Sequence, residues 1–285
     1  MKNKIITPYL LVIPITITVL GASILSCTSK EETRRFDYGT KNDSARYYYL
    51  NGFHEILDNG RWTASEQSFR KALEFDSNYV LGKSLVGRIT RNVAEREGLQ
   101  YELIKAKGNT NSDENLLLEV YLLSIEGYNQ RDKGIKSSAE FNERRRLTAL
   151  SNFKEFIHRH PEDYYVKAEY IEWLHLTYGP KVALDSLKHL TTKRQAKLGF
   201  YLRYAASLEL ELGNIDKAIL LAEGLKGLML DSTYTSHMKL RVEILKAQDS
   251  LQKAMALIDR VVKIDSNHLI AIALQREISE MLQTK

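Results

Sequence analysis

The side chains in this chain that could do chemistry are few and scattered. Seven histidines, His54, His158, His160, His175, His189, His237 and His268, are spread across the sequence. A metal site needs several such ligands to converge. His158 and His160 are two apart, and on a helix they would point to different faces. Surface or groove positions account for the histidines, and no metal site is expected. Glu162 and Asp163 follow Pro161 and read as turn residues rather than an acid–base pair. No GxSxG, HExxH, GxxxxGK[ST] or GxGxxG pattern occurs. Neither an enzyme class nor a cofactor is expected. Lys and Arg number 41 against 36 Asp and Glu, a mild excess that gives no case for nucleic acid without a concentrated basic face. The densest run, Arg144-Arg145-Arg146, lies close to Glu140 and Glu143 and reads as a solvated helix face.

The one thiol is Cys27, so no internal disulfide can form and packing alone must hold the fold. Lys2 and Lys4, an uncharged apolar stretch from Ile5 to Leu25 and the small Ser26 precede it, as in a secretory signal. Ile24-Leu25-Ser26-Cys27 resembles a bacterial lipoprotein processing box, in which the cysteine becomes the lipidated N-terminus. That resemblance implies a signal peptide over 1–26, a palmitate-type anchor on Cys27 and an outer-membrane protein facing the periplasm or the cell surface. Thr28-Ser29-Lys30-Glu31-Glu32 resembles the surface-export signal of Bacteroidetes lipoproteins, and a plain polar tether explains it equally well. Residues 27–43 are expected to be a flexible tether. The apolar stretch is also long enough for an uncleaved membrane anchor, which Pro8 and Pro14 weaken, and simple secretion is a third reading. All three carry residues 28–285 across a membrane.

Helices must position whatever acts in the rest of the chain. Lys71-Ala72-Leu73-Glu74-Phe75-Asp76-Ser77-Asn78 returns in degraded form as Val261-Val262-Lys263-Ile264-Asp265-Ser266-Asn267 and Leu228-Met229-Leu230-Asp231-Ser232. Each copy ends a helical pattern on residues whose side chains bond local backbone. Ala149, Ala183, Ala218 and Ala254 recur at spacings of 34, 35 and 36. Leu198–Asp231 has small Ala205 and Ala206, a Gly213-Asn214 turn, then Ala218 and Ala222. These stretches resemble the tetratricopeptide repeat (TPR), a helix–turn–helix unit in which small residues let paired helices approach and large ones fill the gap to the next pair. One pair cannot bury its own apolar face, so pairs stack. The expected fold is all-α: a TPR-like solenoid over 44–285 of about six helix pairs plus a C-terminal capping helix at 267–283. Ser65 and Phe53, the latter beside Gly52, depart from the pattern. The stretch 79–148 does not settle into the repeat register. It reads as an irregular pair at 79–92 and 95–107, a turn at Gly108–Asn111 with Ser112 as N-cap, and an extended pair around 112–160 or a loop.

The resemblance implies that helix A of each pair lines a concave groove that binds a protein or peptide. Carried over copy by copy, the partner-binding positions are Tyr47 and His54, Tyr165 and Glu172, Arg203 and Ser207, and Lys239 and Glu243. Sixteen tyrosines suit both core packing and an interface. The expected function is a lipid-anchored, non-catalytic protein-interaction scaffold. Its alternatives are a glycan- or nutrient-binding surface lipoprotein on the same scaffold and a regulatory subunit with an uncleaved N-terminal helix. Trp62 and Trp173 fall at repeat packing positions, which argues against the glycan reading.

Overall fold

The computed structural model describes residues 36–284, among which there are thirteen α-helices and no strand. They pair along the chain: α1 Asp43–Phe53 with α2 Trp62–Phe75, α3 Val80–Ile89 with α4 Val93–Ala106, α5 Ser112–Asp132 with α6 Ala139–Arg159. The second half continues with α7 Tyr164–Tyr178 and α8 Pro180–Leu190, α9 Gly199–Glu211 and α10 Ile215–Lys226, α11 Ser236–Ala247 and α12 Leu251–Ile264. Helix α13, Leu269–Gln283, packs on α12 and ends the array. The signal sequence and Cys27 lie outside the described residues. Among these residues, no helix is long and apolar enough to cross a membrane.

Local chemistry sets the boundaries. Gly134 and Gly179 sit at positive φ between helices, a conformation glycine reaches without a Cβ penalty. Side-chain acceptors cap several helix starts, including Asn92 on α4, Ser138 on α6 and Asp163 on α7. The N-cap of α5 is Asn111, not Ser112: the Asn111 amide oxygen lies 2.9 Å from the backbone nitrogens of both Asp113 and Glu114. Helices α5 and α6 span 21 residues each, so the excess over the repeat period lies in an extended pair rather than a loop.

Ala149, Ala183, Ala218 and Ala254 are all fully buried, one each on α6, α8, α10 and α12. Four clusters of buried residues run along the array, one after another. In the first pair the close approach is made by Gly52, where a Cβ would stand 2.2 Å from Cε1 of Phe69. Phe53 is accommodated beside it by stacking on Tyr165, with ring centres 5.3 Å apart. The folded array begins before residue 44. Phe36 packs edge-on against Phe156, and the Tyr38 hydroxyl donates to the Asp163 carboxylate. The end of the expected tether is therefore part of the core.

The arginine run is also less solvated than its composition suggests. Arg144 and Arg146 pair with Glu126 and Glu143, but the Arg145 guanidinium lies over Trp173 at 5.4 Å. There it covers an aromatic face instead of meeting water.

Candidate functional site: a central cavity

In an open solenoid each repeat touches only its neighbours. Here the array bends until the first pair meets the last three helices. The turn between α1 and α2 carries the closing contacts. The backbone nitrogens of Thr235 and Ser236 donate to the Asn59 carbonyl at 2.9 and 3.2 Å. The Thr235 hydroxyl donates to the Gly60 carbonyl at 2.6 Å. Gly60 has φ +76, and a Cβ there would meet Thr235 Oγ1 at 2.6 Å, so the seam requires glycine on both counts. One step along, Thr63 donates from its backbone nitrogen and its hydroxyl to the Asp265 carboxylate, at 3.0 and 2.6 Å. Trp62 stacks on His268, with ring centres 5.5 Å apart. Asp58 fastens the inner side: Oδ1 accepts from the backbone nitrogen of Phe200 at 2.8 Å and Oδ2 from the Tyr164 hydroxyl at 3.0 Å.

Beside this seam lies a half-open cavity of about 860 Å³ lined from α1, α2, α3, α4, α5, α7, α9, α11 and α13. Its apolar lining includes Phe53, Leu85, Ile89 and Ile270. Its charged lining comprises Arg88, Arg91, Arg96, Arg131, Arg203 and Lys239 against Asp132, Glu169 and Glu172. Most of these charges are already paired. Arg88 reaches Glu169 at 2.7 Å, Arg96 reaches Asp132 at 2.6 Å, and Lys239 reaches Glu243 at 2.5 Å. Arg203 forms no ion pair or hydrogen bond among the described residues; its guanidinium lies 5.3 Å from the centre of the Phe200 ring.

The electrostatics of the lining are set by burial. Burial, helped by the Glu169 carboxylate, lifts the Glu172 carboxyl to about 7 against the pull of Arg203, Arg88 and Lys239. Burial pushes His268 down to about 4, with Lys239 acting in the same direction, so the ring is neutral at pH 7. Its Nδ1 accepts from the Ala271 backbone nitrogen at 3.2 Å and caps α13. Burial works against ionisation of Glu243, yet Lys239 and the Ser207 hydroxyl hold its carboxyl below the ordinary range.

Of the eight groove positions expected from the sequence, three converge on this cavity: Glu172, Arg203 and Lys239. Ser207 and Glu243 instead bond each other at 2.7 Å behind Lys239. Tyr165 is buried against Phe53 and is core, not a binding surface. Tyr47 is 62% exposed and packs on Tyr48, away from the cavity lining. His54 bonds Asp58 at 3.0 Å, which raises its pKa and ties it to the seam. Lys239 is itself buried, so its ammonium serves the Glu243 pair before any partner.

Trp62 packs as the sequence suggests and also lines the cavity. Arg88, Arg96 and Arg131 were not foreseen. They lie in the stretch whose repeat register the sequence leaves open, and no motif marks them. Among the described residues no cluster of histidines and carboxylates could hold a metal ion. No protein-family model, curated protein or solved structure matches the chain.

Proposed function

We propose that this chain is a TPR-like, non-catalytic binding scaffold, anchored by lipid at Cys27 on the envelope of a Gram-negative cell, and that its partner engages the central cavity. The observation that carries this reading is the convergence of inner-helix side chains on one mixed apolar and cationic cavity. Pockets of roughly 300–1,000 Å³ with a few convergent polar groups are the usual form of a binding site. Six helix pairs with a fully buried alanine on the second helix of the last four support the repeat assignment. A second reading, a ligand-binding surface lipoprotein on the same scaffold, is favoured by the seam, because it makes a chamber where an open solenoid would offer a groove.

Two experiments test this. Full-length chain tagged at its C-terminus should sediment with membranes, and Cys27→Ala should abolish processing and leave the precursor unlipidated. An unmodified N-terminus upstream of residue 27 on the wild-type protein would exclude the lipoprotein assignment. Affinity capture from membrane extract should recover a partner with wild type and lose it with Arg203→Glu, while helicity and melting temperature stay unchanged. Arg203 is the residue to reverse, because Lys239→Glu would strand a buried pair and confound binding with folding. Undiminished capture by Arg203→Glu places the partner on another surface.

A further inference from the structure

We infer that the central cavity binds a small organic anion, with its acid group on the Arg203 guanidinium and its carbon body against the apolar lining around Trp62, Leu85, Ile89 and Ile270. The inference rests on the cavity being the binding site and takes the ligand reading of it.

The charge arrangement points to the sign of the ligand. Six cations line the space against three lining carboxylates and Glu243, which neutralises Lys239 from behind. Arg88, Arg96 and Lys239 are neutralised by local partners, but Arg203 is not. Arg203 is half-buried and its guanidinium nitrogens stay open to solvent, so an acid group can reach them. Arg203 is also held for the task. Its Cζ lies 5.3 Å from the centre of the Phe200 ring, which is fully buried and stacks on Tyr204 with centres 5.1 Å apart. A guanidinium can offer two parallel donors, the geometry that fits a carboxylate or a phosphate.

Glu172 is the alternative counter-ion. No hydrogen bond joins it to Arg203, and its carboxyl, lifted to about 7, is only partly ionised near neutrality. Glu243, the other carboxylate that Arg203 acts on, is held by Lys239 and Ser207. The size of the chamber, about 860 Å³, is that of a small-molecule site, and its apolar walls exceed what an inorganic ion could cover.

Phenyl phosphate is the probe, with inorganic phosphate and phenol as partial analogues that lack the ring or the acid. The readout is emission from Trp62 in a Trp173→Phe background, together with melting temperature. Phenyl phosphate should change Trp62 emission saturably and raise the melting temperature. Inorganic phosphate should bind more weakly, and phenol should have no effect. Arg203→Gln should weaken phenyl phosphate binding by about 10- to 100-fold, as expected for the loss of a charged hydrogen-bonding partner. Arg203→Lys should fall between, keeping the charge and losing the fork. Arg194→Gln, an exposed position outside the cavity, should behave as wild type. No response at millimolar phenyl phosphate overturns the inference, and so does an equal response in wild type and Arg203→Gln. If phenyl phosphate fails but Arg203→Glu still loses the captured partner, the anion is excluded and the cavity stands as a protein-binding site. If phenyl phosphate binds through Arg203 and capture is untouched, the anion site stands and the protein partner lies elsewhere.

Discussion

Asp58→Ala should destabilise the protein by on the order of 4 kcal/mol, from two or more buried donors left without an acceptor at ~1–3 kcal/mol each. Asp58 is 5% exposed and receives the backbone nitrogen of Phe200, the Tyr164 hydroxyl and His54 Nδ1. It thereby ties α1 to α7 and α9, helices that the repeat pattern alone would not join. Its loss should loosen the seam as well as the local turn. Amide exchange should accelerate at Thr235 and Ser236, whose bonds to Asn59 depend on the position of the same turn. Asp58→Asn keeps one acceptor oxygen and should cost distinctly less. Urea denaturation measures the effect. A midpoint for Asp58→Ala equivalent to within about 0.5 kcal/mol of wild type, the size of an ordinary surface substitution, would show that the seam contributes little.

Glu172→Gln should change stability little at pH 4 and raise it at pH 8 by on the order of 2–3 kcal/mol, from ~1.4 kcal/mol per unit of pKa difference, reduced for partial solvation. The sign follows from a folded-state carboxyl at about 7, above its ordinary value of 4.5. The protonated form is favoured by folding, so the stabilisation is complete below pH 4.5 and lost as pH rises to about 7. Above that, the wild type carries an ionised carboxylate in a poorly solvated site, close to Glu169 and only partly offset by Arg203, Arg88 and Lys239. Glutamine removes that cost and forfeits no hydrogen bond recorded for Glu172. His268 acts in the opposite direction between its ordinary 6.5 and about 4, because its neutral form is the one folded in. The quantity to read is therefore the variant-minus-wild-type difference at each pH. A difference that does not change between pH 4 and pH 8 would falsify the assignment of a raised carboxyl at Glu172.

Much of the fold is local and was legible in the sequence. Ala149, Ala183, Ala218 and Ala254 mark close helix contacts because a side chain larger than a methyl cannot fit there, and all four are fully buried. Gly134 and the polar turn at Gly108–Asn111 bound α5 for equally local reasons: positive φ in one case and side-chain capping in the other. The C-terminal helix follows from the helical spacing of Leu269, Ile272, Ala273 and Ile278. The cavity is another matter. It depends on Asn59 and Thr63 meeting Thr235 and Asp265, residues more than a hundred positions apart that no repeat period relates. Each helix pair adds a small rotation fixed by how individual side chains pack. Whether six such rotations bring the ends together cannot be read from any one repeat. The same holds for individual charges. The helix A pattern nominated Arg203 and Lys239 alike, but Lys239 lies within reach of Glu243 and becomes structural, while Arg203 faces the chamber without an ion-pair partner. Helical periodicity determines which face a residue occupies, because that is a matter of 3.6 residues per turn. What it meets there is decided by the accumulated geometry of the whole array.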